Sequence, residues 1–310
     1  MGDKVTVFGS FVVDLMARSP RLPRPSETVR GSLFRQGAGG KGFNQGIAAH
    51  KAGADVALVT KLGKDSLSEV ATGAMAAVGL SREHLFWSED TPTGVALILV
   101  DEGTGQNEIV VVPGACATFT ETDVERAAET IRISRYLLLQ LEINQDANER
   151  AARIAKESGV RVIVNTAPCM PVSDGFLAGC WLVTPNETEA EALTGVPVTD
   201  EESCAHAAAV FLKKGVQNVI ITLGARGVYL QTEGFAGILP AFAVQAVDTT
   251  GAGDAMSGGL LAALSEGKEL REAVRFGQAV AALSVQKLGT TPSMPARAEI
   301  DAFLAAHPEG

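Results

Sequence analysis

Runs rich in β-forming residues alternate with helical patterns along most of this chain, which predicts an α/β fold: a mainly parallel sheet with helices on both faces. The composition agrees. Of 310 residues, 46% are hydrophobic and 20% charged, enough apolar material for one large core with a small appendage. The alternation breaks at residues 14–36 and 93–114, where extended patterns without a helix predict a small extra sheet outside the main one.

The first strand is expected at 5–9, where "VTVFG" is apolar and β-branched. Further strands are expected at 55–62, 136–141, 160–165, 181–184 and 218–222, each a short apolar run of the kind that is buried on both faces. Between them, apolar residues recur at helical spacing over 41–52, 67–78, 122–133, 145–158, 187–193 and 201–214. Strand–helix–strand units of this length form right-handed crossovers between parallel strands. The last third is mostly helical, over 253–266, 271–286 and 296–305. Residues 93–114, "TGVALILVDEGTGQNEIVVVPG", read as two extended runs joined by a Gly-containing turn, and 14–36 is broken by Pro20, Pro23 and Pro25. Such a sheet suits a lid over the carboxyl ends of the main strands. Its second apolar face needs a partner, which a homodimer would supply; the alternative is a hairpin extending the main sheet.

A net charge of −10 and a pI near 5.0 argue against a sequence-independent hold on nucleic acid or on anionic membrane, since both need clustered Lys and Arg. Cys116, Cys169, Cys180 and Cys204 show no C-x-x-C spacing, so neither a zinc site nor a disulfide framework is expected, and a reducing cytoplasm is the natural setting. No apolar run reaches membrane length.

Chemistry concentrates in a few stretches. In "AVDTTGAGDAM", Gly251, Ala252 and Gly253 precede Asp254 where the chain turns into a helix. Small residues there leave helix-start N–H groups open to an anion. A carboxylate among them is useful if it takes a proton from a nucleophile that attacks a bound phosphate; the competing reading is an ordinary turn with a dipole-favoured Asp. "GAGGKGFNQG" has glycines ahead of Lys41 and Asn44 at another helix start, but lacks the G-x-x-x-x-G-K-[ST] spacing of a Walker loop. "GSFVVD" after the first strand offers one glycine, which removes the dinucleotide fingerprint. Asp14, following that strand, can grip hydroxyls, or be a solvated loop acid. Glu142 ends the apolar "LLLQLE", on the edge where parallel sheets bind ligands. Asn186, Glu187 and Glu189 follow another strand and suit magnesium held through its waters, or else a dipole-matched helix start. "TLGARGV" is a small-residue turn, either a cover for a nucleotide or a hairpin turn.

Taken in order, "GAGGKGFNQG", "TPNETEAEALTG", "ITLGARGV" and "AVDTTGAGDAMSGGL" resemble the ribokinase family of PfkB-type carbohydrate kinases over essentially the whole chain. That resemblance implies a single doubly wound α/β domain with a small β lid that often forms a dimer interface. It implies ATP, magnesium and a monovalent cation, potassium, as cofactors. Asp254 would be the base and Gly251, Ala252 and Gly253 the anion hole; Asp14, Gly40, Lys41, Asn44 and Glu142 match sugar-contacting positions. Asn186 and Glu189 match the positions that organise magnesium and phosphates, and Thr222, Gly224 and Gly227 those that bind ATP. Asp248, Thr250, Ser284, Lys287, Gly289 and Ser293 match the cation loop, mostly through backbone carbonyls.

The chain departs from the family pattern at three places. Val12 stands where ribokinases carry a sugar-contacting Asn, Phe43 where they usually carry Ala, and Cys116 where they usually carry Asn. Deoxyribokinases of the same family also carry an apolar residue at the Val12 position. The implied reaction is therefore phosphoryl transfer from ATP to a primary hydroxyl of ribose or 2-deoxyribose. The alternatives are a hexose, ketose or nucleoside kinase, for which Arg18, Arg21 and Arg24 are the local cations, or a non-catalytic sugar-binding regulator.

Overall fold

The computed structural model describes residues 2–308. Thirteen strands among them form two sheets. The main sheet has nine, in the order β13-β12-β11-β10-β9-β8-β1-β4-β5. Its parallel strands are β1 (Val5–Phe8), β4 (Val56–Gly63), β5 (Leu85–Ser88), β8 (Tyr136–Gln140), β9 (Arg161–Asn165), β10 (Leu182–Val183) and β11 (Asn218–Thr222). Two antiparallel strands, β12 (Val228–Gln231) and β13 (Ala236–Leu239), complete one edge. The six strands expected from apolar runs are all present. The sequence reading missed β5, β12 and β13, which are four residues each at the sheet's two ends, too short for a periodic signal.

Side chains alternate across a strand, and the alternation sorts the core into two layers. Leu138, Ile163 and Ile220 pack on one face, under α1 (Lys41–Lys51), α2 (Ser68–Val78), α8 (Ala252–Ser265), α9 (Leu270–Ser284) and α10 (Arg297–Ala306). Their strand neighbours Leu137, Leu139, Val162, Val164, Val219 and Ile221 pack on the other, under α3 (Glu121–Arg132), α4 (Gln145–Glu157), α6 (Glu187–Thr194) and α7 (Glu201–Lys213). A one-turn helix, α5 (Asp174–Leu177), crosses between β9 and β10. The helices are set by local chemistry as expected: α3, α6 and α7 each begin with a reciprocal capping box, at Thr120, Asn186 and Asp200.

The extra sheet is separate from the main one, in the order β3-β2-β6-β7, so the hairpin does not extend the main sheet. It comprises β2 (Val12–Ser19), β3 (Leu33–Gly39), β6 (Thr93–Asp101) and β7 (Asn107–Gly114). The boundary expected at residue 14 falls two residues early, at Val12, and β3 runs on to Gly39. Asp14 is consequently not a loop acid after β1: it lies inside β2, opposite Gly37. One face of this sheet packs on the core through Val13 and Ala38 and, further out, leaves Phe34, Leu97, Val110 and Val112 exposed; Ile109 is exposed on the other face.

α1 and α8 lie in close backbone contact. A Cβ on Gly258 would sit 2.5 Å from Ala48 Cβ and 2.6 Å from the Gln45 carbonyl oxygen, so only glycine permits that approach. At the start of α1, a Cβ on Gly42 would meet the backbone of Gly9 and Ser10 at 2.6 Å. These two glycines set the helix starts at the same end of the sheet.

Candidate active site

The parallel strands end on one edge, and the residues just beyond them converge with the N-termini of α1 and α8. A cleft of about 210 Å³ lies there, lined among others by Lys41, Asn165, Thr184, Asn186, Glu189, Thr222 and the run Gly251 to Asp254.

Gly251 is the N-cap of α8 with φ of 77°, a left-handed conformation that favours glycine, and no side chain caps the helix. The Ala252 amide donates to the Thr249 carbonyl at 3.2 Å, while those of Gly251 and Gly253, which line the cleft, have no side-chain acceptor, and a Cβ at Gly253 would meet nothing within 4 Å. This is an anion site of the helix-N-terminus type. Asp254, in the same turn, is buried, yet it accepts hydrogen bonds from Asn44 Nδ2 at 3.0 Å and Gln45 Nε2 at 2.9 Å. Burial pushes its carboxyl above the ordinary value, with Glu142 adding to the rise, while Lys41 and the two amides oppose it.

Lys41 has the reverse balance. Burial disfavours its charge, but Asp254, Glu142 and Glu189 around it outweigh that and hold the ammonium above its usual range. Glu142 is anchored by the Ser10 hydroxyl and by the Lys41 amide, 2.9 Å away, which docks the start of α1 on the end of β8. Asp14 is pushed up to about 6 by burial and by the negative charges of Glu142 and Asp254. Its carboxylate occupies the space beside Gly39, where a Cβ would come within 2.3 Å of Oδ1.

On the far side of the cleft, Glu189 Oε2 accepts from Thr166 Oγ1 at 3.0 Å and from the Asn186 amide at 3.1 Å, and Oε1 accepts from Asn186 Nδ2 at 2.9 Å. With three donors already on it, this carboxylate fits a cation that keeps its own waters better than one it ligates directly. Thr222 bridges to Asn186 and lines the cleft. "TLGARGV" is the turn of the β11–β12 hairpin, and its Gly224 (φ 57°) and Gly227 (φ 103°) satisfy that turn beside the cleft without lining it.

Behind α8, Asp248 ties two loops together: its oxygens accept from the amides of Thr250 and Gly289, each at 2.9 Å, and these bonds hold its carboxyl below the ordinary value against burial. The side chains of Ser284, Lys287 and Ser293 are turned to Ala281 O, Glu299 and Thr290 O. These three side chains are therefore engaged within the protein. Among the described residues no group of three or more His, Cys, Asp or Glu gathers as a metal cluster.

The three departures separate in space. Phe43 is fully buried and packs edge-on against Phe11 at 4.9 Å between ring centres, so it belongs to the core. The Cys116 thiol is buried and donates to Pro113 O at 2.9 Å; burial and Glu142 push it up to about 12, so it stays neutral. Val12 is buried but belongs to neither core layer, and it lies two residues from Asp14 on the same face of β2. Sequence reasoning missed Gln45, Asn165, Thr166 and Thr184. Asn165 and Thr184 end expected strands and carried the same signal that singled out Glu142; Gln45 is legible only once α8 is in place beside it.

The profile of the family described as pfkB family carbohydrate kinase matches residues 3–297. The ribokinase of Haemophilus influenzae is 43% identical over 304 residues, covering 98% of this chain and 99% of that protein. The deoxyribokinase of Salmonella typhi is 33% identical over 302 residues, covering 97% and 98%. The structure of Arabidopsis thaliana ribokinase complexed with ribose and ATP matches with a TM-score of 0.91 at 32% identity, covering 98% of this chain and 99% of that one. With a family match across nearly its whole length and a cleft built around one buried carboxylate and an open helix start, the chain belongs to the pfkB family of carbohydrate kinases and is a phosphotransferase.

Proposed function

We propose that this kinase transfers the γ-phosphoryl group of ATP to a primary hydroxyl of a pentose-sized sugar, ribose or 2-deoxyribose. The observation that carries the reading is Asp254: a buried carboxylate, held by two amide donors, in the first turn of an uncapped helix. Asp254 takes the hydroxyl proton as the oxygen attacks, and the amides of Gly251 to Gly253 receive the negative charge of the transferring group. Lys41 lines the same cleft and contacts the sugar there. Asp14, Asn44 and Glu142 hold the sugar's other hydroxyls, with Gly40 keeping the chain close. Asn186, Thr222, Gly224 and Gly227 hold the nucleotide. Magnesium belongs beside Glu189 through water, where it would offset the charge of the ATP phosphates. Four free cysteines support a reducing cytoplasm as the setting of this kinase, and among the described residues no helix is long and apolar enough to cross a membrane.

The bare face of the small sheet supports a homodimer in which a second copy covers it, with the sheet serving as a lid over each cleft. β7 is exposed from Asn107 to Val112, an unprotected edge strand carrying four consecutive apolar residues.

Asp254→Asn is expected to leave sugar binding largely intact, measured by calorimetry, while kcat falls about 10²-fold to 10⁴-fold. Turnover within a few-fold of wild type would remove Asp254 as the base. A monovalent cation at the Asp248 loop orders the turn that presents Gly251 to Gly253, so potassium should activate without touching substrate. Equal rates with and without potassium, in a sodium-free buffer of matched ionic strength, would refute that role. Val110→Asp places a charge on the proposed interface and is expected to give a monomer by light scattering; a wild type that is itself monomeric at micromolar concentration ends the dimer proposal.

Val12 carries the substrate preference. A sugar hydroxyl facing it in a closed site finds no partner, which costs about 1 to 3 kcal/mol, or roughly 5-fold to 150-fold in affinity. A sugar lacking that hydroxyl escapes the cost. We expect kcat/KM for 2-deoxyribose at least comparable with that for ribose, and Val12→Asn to shift the ratio toward ribose. Strong wild-type preference for ribose, unchanged by the substitution, would rule the deoxy-sugar out. Poor turnover of both, with good turnover of a hexose or ketose, would move the substrate elsewhere in the family.

A further inference from the structure

Gln45 is fully buried on α1, and both of its amide hydrogens are committed: Nε2 donates to Asp254 Oδ1 at 2.9 Å and to Asn165 Oδ1 at 3.1 Å. Its Oε1 accepts from Nε2 of Gln140, itself fully buried on β8, at 2.8 Å. Rotating the Gln45 amide by half a turn would set its oxygen against the oxygens of Asp254 and Asn165, and its NH₂ against the NH₂ of Gln140. The ionised carboxylate, which can only accept, therefore sets the sense of the amide, and Gln140 supplies the donor that the Gln45 oxygen then needs. Space for this arrangement is reserved in the fold. A Cβ on Gly9 would overlap Gln140 Oε1 at 1.8 Å, so the glycine after β1 makes room for the side chain that orients Gln45. Asn165 in turn donates to the Thr184 carbonyl at 3.1 Å, which extends the same network to the wall of the cleft that leads to Asn186.

We propose that Gln45 positions Asp254 as the proton acceptor, and that Gln140, which does not touch the carboxylate, locks the Gln45 amide in the donating sense. This rests on Asp254 being the base. Asn44 holds the other carboxylate oxygen and is itself oriented by Thr291 Oγ1, 3.0 Å from its Oδ1. With both oxygens engaged, the carboxylate keeps one orientation, and its remaining lone pairs are directed at an incoming hydroxyl.

The consequence is a pH signature. The charged groups facing Asp254 are Lys41 from α1, Glu142 beyond β8 and Asp14 from β2, with Glu189 from α6 across Lys41. A donated hydrogen bond favours the ionised carboxylate, so removing it lets burial and the neighbouring acids keep the proton to a higher pH. Gln45→Leu is expected to move the acid limb of the kcat profile up by about one pH unit, with activity returning at alkaline pH. Gln140→Leu is expected to move it in the same direction by less, because it frees the amide to turn without removing it. Each variant is checked for folding by thermal unfolding and for sugar binding by calorimetry; if Gln45→Leu does not fold, Gln140→Leu carries the test. Limbs at the wild-type position in folded variants, alongside an inactive Asp254→Asn, would reduce Gln45 to a packing residue and overturn the proposal while leaving the base intact. An active Asp254→Asn would overturn the base assignment itself.

Discussion

A carboxylate that is nine-tenths or more out of water must be hydrogen-bonded or paired, or it takes up a proton and can no longer act as a base. Much of the structure around Asp254 follows from that constraint. Its two amide donors are successive residues of α1, 210 and 209 positions away in sequence, and they reach it because α1 and α8 approach at backbone distance over Gly258 and Ala48. A larger residue at 258 would drive the helices apart and withdraw both donors together, so helix packing and charge state are one problem here.

The same economy of donors runs through the rest of the cleft. Three carboxylates, Glu142, Glu189 and Asp254, act on the ammonium of Lys41, and Asp14 in turn senses Glu142 and Asp254. Glu142 and Glu189 are tied by fixed donors: Glu142 by Ser10 and the first amide of α1, Glu189 by Thr166 and the Asn186 cap. Asp14 and Asp254 are left with raised proton affinity, and these are the two that would meet sugar hydroxyls in the reading proposed above. Two carboxyls of raised proton affinity in one cleft, beside two that are tied by fixed hydrogen bonds, fit a site for proton transfer better than a metal-binding cluster.

The small sheet contributes to this site from outside the main core. Its strand β2 carries Val12 and Asp14 on one face, and β3 ends at Gly39, whose missing side chain leaves room for the Asp14 carboxylate. β3 then feeds directly into α1, so the strand beside Asp14 and the helix whose amides donate to Asp254 are separated by one residue, Gly40, at φ 90°. Any movement of the sheet is thereby tied to the start of α1. The outer part of its opposite face, at Phe34, Leu97, Val110 and Val112, is apolar and exposed, a surface that water tolerates poorly.

The sequence by itself determined the class of fold, because period-2 and period-3.6 patterns report which side of an element is buried without knowing what buries it. It also singled out two stretches that the structure brings into one cleft, since Gly-Ala-Gly-Asp at residues 251–254 and the "GAGGKGFNQG" helix start have a local physical meaning, a small-residue helix N-terminus and a close approach, that survives without neighbours. Tertiary structure decided what those residues do to one another. Asp14 read as a loop acid because nothing local reveals that β2 pairs with β6, some eighty residues on. Phe43 and Val12 were equivalent departures in sequence, and only packing separated them, one ring against Phe11 in the core and one side chain outside both core layers. Gln45 and Gln140 were invisible for the same reason: a buried amide acquires its role from the donor and acceptor on either side, and both come from elements far away in the chain.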